Sequence, residues 1–163
     1  DATALHTVRV MNAKGAVSRV ESYGLPVMPD SLPDWPGPLA GILSCLDWLA
    51  QSHCECDLLL SCATDAPFIS SDLAFRLLQA RTAENATLAQ ARSSGRRHPV
   101  FGLWPVSIRQ DLRTALIEDG LRKIDDFTDR FSLAIADFAG HPDPFSNVNQ
   151  PEDIAAVEAY FDN

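Results

Sequence analysis

The stretch that decides the fold is Asp57-Leu58-Leu59-Leu60-Ser61-Cys62, ended shortly afterwards by Asp65-Ala66-Pro67. An unbroken apolar run of this length, closed by a proline, suits a strand whose two faces are both covered, as in a parallel sheet. It predicts a strand over 57–62 buried near the centre of a sheet, with Asp65 at its C-terminal end. Helical patterns flank it on both sides. Upstream, Leu39, Ile42, Leu43, Leu46 and Leu49 recur at three- and four-residue steps up to about His53. Downstream, Ser70 or Ser71 can cap a helix carrying Leu73, Leu77 and Leu78.

The alternation continues outward. Thr7 to Asn12 and Leu25 to Met28 read as short strands, and Asp30 to Gly41 is too rich in proline to be regular at its start. Thr87 to Ala91 and Pro99 to Trp104 read as strands around the polar turn Ser93-Ser94-Gly95-Arg96-Arg97, in the manner of a hairpin. Ser107 to Asp119 reads as a helix with Leu112, Leu116 and Ile117 inward, and Gly120 stands where a helix end wants positive φ. A short helix over Lys123 to Arg130, a strand over Ser132 to Phe138 and a helix over Pro151 to Phe161 complete the chain. Strands alternating with helices imply βαβ units and a three-layer α/β domain with a mainly parallel sheet.

The bulk numbers bound the function. The chain has 163 residues, 46% hydrophobic and 21% charged, which fits one globular domain rather than a disordered segment. A net charge of −9 opposes general DNA or RNA binding, because phosphate backbones are repelled at long range. It leaves room for one small phosphorylated ligand, the more so if a divalent cation reverses the local sign. No apolar run approaches the roughly 20 residues that span a bilayer, and residues 1–10 carry no signal-peptide core. Cys45, Cys54, Cys56 and Cys62 are clustered too tightly for a secreted disulfide framework and read as reduced, hence a cytoplasmic protein. His53-Cys54-Glu55-Cys56 lacks the second ligand pair that a structural zinc site usually needs, so no zinc is expected.

Four places can carry chemistry. Asp65 lies where open α/β sheets put their ligands; a lone carboxylate there suits Mg²⁺, which takes its other ligands from water and substrate phosphates. It equally suits an Asx-type turn. Gly37 and Gly41 permit close backbone approach at a helix start, or make a plain strand-to-helix connection. Asn147 and Asn149, one residue apart, point to the same side of an extended segment, and one of them can cap the helix at Pro151. Arg96-Arg97-His98, with Arg122-Lys123 further on, puts cations in an acidic chain, suggesting either an anionic ligand or a solvated turn.

Seven pieces in order then resemble one family, the molybdenum-cofactor guanylyltransferases. They are Asn12-Ala13, the run Gly24 to Asp30, Pro36-Gly37-Pro38-Leu39-Ala40-Gly41-Ile42, Asp65-Ala66-Pro67-Phe68, the run His98 to Trp104, Gly120-Leu121-Arg122-Lys123, and Asn147-Val148-Asn149-Gln150-Pro151-Glu152-Asp153. The resemblance runs from about Thr7 to the C-terminus. It implies a Rossmann-like nucleotidyltransferase domain that joins GMP from GTP to the phosphate of molybdopterin and releases pyrophosphate. It implies Asp65 as the Mg²⁺ ligand on which turnover depends, Asn12, Asp30 and Gly41 with Asp65 on the nucleotide side, and Asn147, Asn149 and His98 on the molybdopterin side. It also implies a monomer serving molybdenum-insertion and molybdoenzyme partners. The family opens with a Leu-Ala-Gly-Gly loop followed by an arginine and a lysine. This sequence carries none of them, so the expectation is one domain over 1–163 without that strand and loop, and Gln150 replaces the frequent threonine. The alternatives are a transferase using CTP or acting on a sugar phosphate, and a non-catalytic molybdopterin-binding module.

Overall fold

The computed structural model describes residues 11–12, 24, 26–32, 37–52 and 56–161. The elements in chain order are β1 (Met11–Asn12), β2 (Val27–Met28), α1 (Pro38–Gln51), β3 (Leu58–Ser61), α2 (Leu73–Ala83), β4 (Leu88–Ser93), β5 (Arg96–Pro105), a 3₁₀ turn (Val106–Ile108), α3 (Arg109–Ile117), α4 (Ile124–Thr128), β6 (Leu133–Phe138) and α5 (Pro151–Phe161). The expected strand over 7–12 lies outside the described residues except for its last two. The His53-Cys54-Glu55 segment lies outside them altogether.

The strands form a two-stranded parallel sheet, β1–β2, and a four-stranded sheet in the order β3-β5-β4-β6. The larger sheet is mixed: β4 runs parallel to β6 and antiparallel to β5. The expectation for β3 is corrected here. Among the described residues it is terminal in the four-stranded sheet, and each of its residues is half-buried. An apolar run reports how well the faces of a strand are covered; it carries no information about neighbours in the hydrogen-bonding direction.

The chain gathers into two compact units, Asp1–Leu59 with Trp104–Ser132, and Leu60–Leu103 with Leu133–Asn163. In the first, α1 packs on β1, β2 and α3. Its apolar stripe behaves as its spacing predicts: Leu39, Ile42, Leu43, Leu46 and Leu49 are all buried, each fully buried leucine contributing roughly 1.5–3 kcal/mol. Pro38 takes the first helical turn, where its missing N–H costs nothing. Asp47 is buried on this helix and accepts bonds from the guanidinium groups of Arg113 (2.5 Å) and Arg109 (3.4 Å) and from the Ser31 hydroxyl (3.0 Å). The charge is therefore paired rather than abandoned. Burial, reinforced by the charge of Asp30, pushes the Cys45 thiol up to about 11, so it is held as an inert thiol. Leu112 and Leu116 of α3 face inward as expected, but Ile117 is 49% exposed. Successive helix residues turn by about 100°, which carries Ile117 off the stripe. Gly120 adopts φ +65° just beyond the helix.

In the second unit α2 lies on β4 and β6. It starts at Leu73, later than a cap at Ser70 or Ser71 requires. Asp72 precedes it, and the Ser70 hydroxyl is spent on the Asp72 carboxylate at 2.5 Å. β4 and β5 form the expected hairpin. Ser94 and Gly95 both take positive φ, +48° and +76°, which is the turn that matches strand twist. The ladder slips between Gln90, opposite Gly102, and Ala91, opposite His98. The residues skipped on β5, Pro99 to Phe101, begin with a proline that has no N–H to give a ladder.

Candidate functional site

The second unit carries an open cleft of about 610 Å³ at the tip of the β4–β5 hairpin. Its lining combines the hairpin residues Ser93, Ser94, Arg96 and His98 with Asp143 and the segment Phe145 to Asn149. Three expected site residues, His98, Asn147 and Asn149, thus meet in one cleft.

Asp65, in the turn after β3, is tied to the same segment: the Val148 N–H donates to the Asp65 carbonyl at 2.7 Å. That bond holds the residue between the two asparagines against the backbone of the expected metal ligand. Asp65 is half-buried, and its carboxylate makes no hydrogen bond or ion pair among the described residues. The Asx-turn reading requires such a bond from a nearby N–H, so the turn does not account for this side chain.

The asparagines are released from capping in a similar way. Helix α5 is capped by Asp153, whose Oδ2 accepts the N–H groups of Asn149 (2.9 Å) and Gln150 (3.0 Å). This is the reach-back half of a capping box, and it holds the Asp153 carboxyl below its ordinary value. The side chains of Asn147 and Asn149 are exposed to the cleft and, among the described residues, have no partner.

One carboxylate organises the hairpin side. Asp143 accepts from the Ser93 hydroxyl (2.7 and 2.9 Å to its two oxygens), from the Ser94 hydroxyl (3.2 Å) and from the Phe145 N–H (2.9 Å). Burial raises its carboxyl, but these bonds and the nearby His98 outweigh that and leave it below the ordinary value. Ser93, only 3% exposed, also lies 2.7 Å from His98 Nε2. Burial first, then the charge of Arg96, lowers the His98 pKa against the opposing pull of Asp143. The imidazole also rests on Phe145, ring centres 4.7 Å apart, and Phe145 in turn packs on Phe101 and Phe138. The order His98–Ser93–Asp143 is not that of a nucleophilic triad, in which the carboxylate holds the histidine and the histidine activates the serine.

The remaining expected residues belong to the first unit. Asn12 pairs with Met28 in the β1–β2 ladder, Asp30 follows β2, and Gly41 lies in the first turn of α1. Arg122 and Lys123 belong to that unit as well, whereas Arg96 lines the cleft despite its exposed position in the turn. Sequence reasoning missed Ser93, Asp143 and Phe145. The available signal was Pro142-Asp143-Pro144, a carboxylate held between two residues of fixed φ.

An α/β fold that sets a lone carboxylate after a sheet strand, with a polar cleft in the same compact unit, fits the group-transfer chemistry of nucleotidyltransferases, in which the protein mainly positions anions. Comparison with known proteins gives the family. The model of the MobA-like NTP transferase domain matches residues 2–131, and the chain belongs to that family. It is 47% identical over 149 residues to the molybdenum cofactor guanylyltransferase of Rhodopseudomonas palustris, covering 91% of this chain and 71% of that protein. It is also 47% identical over 150 residues to the protein of the same name from Nitrobacter hamburgensis, covering 91% and 72%. The fold matches molybdopterin-guanine dinucleotide biosynthesis protein A from Archaeoglobus fulgidus with a TM-score of 0.72 at 19% identity, over 94% of this chain and 78% of that one. Among the described residues no helix is long and apolar enough to cross a membrane.

Proposed function

We propose that this protein transfers GMP from GTP to the phosphate of molybdopterin, releasing pyrophosphate, and that the hairpin cleft receives the molybdopterin. The observation that carries the reading is the 2.7 Å bond from the Val148 N–H to the Asp65 carbonyl. It ties the backbone between the two asparagines to the backbone of Asp65, whose carboxylate suits a phosphate-bound metal. Each amide both donates and accepts, as recognition of a phosphate and a pterin edge requires. Arg96 supplies positive charge at the same cleft in a chain of net charge −9.

MobA-like transfer chemistry generally uses a divalent metal, and Mg²⁺ fits here. No group of three or more metal-ligating side chains occurs among the described residues, and Mg²⁺ does not need one: one carboxylate plus water and substrate phosphates suffices. Asp65 would hold the ion, which when bound would neutralise the charge developing on the phosphoryl oxygens. The protein's own share is positioning: Asn12, Asp30 and the first turn of α1 at Gly41 hold the nucleotide, while Asn147, Asn149 and His98 hold the molybdopterin. We read the two compact units as parts of a single nucleotidyltransferase domain working in the cytoplasm.

The test is binding by the full-length protein. Asn149→Ala is expected to weaken molybdopterin binding about tenfold, the loss of one good hydrogen bond, with GTP affinity unchanged, both read by calorimetry. Loss of GTP affinity with molybdopterin affinity intact would reverse the assignment.

A further inference from the structure

A serine hydroxyl has one proton to give. The Ser93 hydroxyl lies against both oxygens of Asp143, which also accepts from Ser94 and from the Phe145 N–H. A carboxylate taking three separate donors is an acceptor only, so the Ser93 proton points to Asp143. The remaining short contact, 2.7 Å between Ser93 Oγ and His98 Nε2, then has its proton on the nitrogen. Asp143 is also misplaced as a ligand contact: it is an anion lining a cleft that takes an anionic substrate. Its bonds instead join the hairpin at Ser93 and Ser94 to the Phe145 backbone, one residue before Ser146-Asn147.

We propose that Asp143 is a positioning residue for the molybdopterin cleft, fixing His98 through Ser93 in the neutral tautomer protonated on Nε2, so that Nδ1 is left as an acceptor for an N–H donor of the pterin. The inference rests on the cleft being the molybdopterin side. The groups facing the imidazole fit it: Asp143 favours the charged ring, while burial and Arg96 oppose it more strongly, so the ring stays neutral. Phe145 packs against the imidazole at a tilt of 39°, and its own N–H is held by the same carboxylate.

The test uses the full-length protein labelled with ¹⁵N in histidine, which reports the tautomer directly, together with KM for each substrate. Wild type is expected to show His98 protonated on Nε2 at pH 7. Ser93→Ala and Asp143→Asn are expected to lose that fixed tautomer and to raise KM for molybdopterin about tenfold, with KM for GTP within about twofold. Ser93→Thr, which keeps the hydroxyl, is expected to restore the Nε2 signal. A wild-type His98 protonated on Nδ1, or a tautomer unchanged in both variants, overturns the proposal. Asn149→Ala separates it from the reading of the cleft: if that variant leaves KM for molybdopterin unaltered while the tautomer results hold, the cleft assignment has failed and the Asp143–Ser93–His98 relay stands. If the tautomer results fail while Asn149→Ala raises that KM, only the relay is wrong.

Discussion

At the scale of single residues, the contrast between Asp65 and Asp143 is the informative one. The Asp143 carboxylate accepts from three donors and so is fitted to hold other groups in place; the Asp65 carboxylate has none among the described residues and so is fitted to bind something else. Asp65→Asn keeps size and turn-forming capacity and removes charge. It is expected to fold normally by circular dichroism and to lose about 100-fold or more in turnover at limiting Mg²⁺, because metal neutralisation of phosphoryl charge is worth several kcal/mol. Wild-type turnover across a Mg²⁺ titration would refute the role. His98 gives a pH prediction. Its pKa in the folded protein lies below its ordinary 6.5, so the neutral ring is fully present above that value and is lost as pH falls through the folded pKa. Molybdopterin binding should therefore hold steady above pH 6.5 and weaken below it, with GTP binding flat over the same range; parallel curves for the two ligands would contradict this. Asp65, His98, Asn147 and Asn149 could be singled out as candidates in the sequence because each sits in a local motif, and the last three meet in one cleft. Ser93 and Asp143 were not legible: Pro142-Asp143-Pro144 marks a stiffly held carboxylate, but its contact with Ser93 across 50 positions of chain is one that no local pattern records.

At the scale of elements, the hairpin β4–β5 matters most, since its turn carries Ser94 and its second strand carries His98. Gly95 at φ +76° is a conformation that costs an L-residue about 1 kcal/mol. Gly95→Ala is expected to lower stability by that amount in urea, seen as a lower midpoint at unchanged slope. It should also disturb molybdopterin binding before GTP binding. An unchanged midpoint would mean that the turn is not formed as described. The hairpin itself was legible in Ser93-Ser94-Gly95, and α1 in the spacing of its leucines. The slip between Gln90 and Ala91 was not, because it depends on how β5 meets its partner, and Pro99 alone marks only that a ladder bond is missing. The place of β3 at the end of the sheet, among the described residues, was not legible for a related reason: strand order is a property of the whole chain's path, while its apolar run speaks only for its own faces.

At the scale of the whole molecule, the chain carries a net charge of −9, and the residues proposed above to bind anions are divided between the compact units: Asn12, Asp30 and Gly41 belong to the first, Asp65 and the hairpin cleft to the second. An acidic protein gains no long-range attraction for anions, so binding must rest on local donors and the metal. Its affinities should accordingly depend more steeply on Mg²⁺ than on salt. GMP transfer to molybdopterin is tested by offering the full-length protein molybdopterin with GTP and CTP in equal amounts and identifying the product by mass spectrometry alongside released pyrophosphate. The expected result is the guanine dinucleotide, one pyrophosphate for each molecule formed, and dependence on Mg²⁺. A cytosine dinucleotide, or molybdopterin bound and recovered without nucleotidyl transfer, would contradict it.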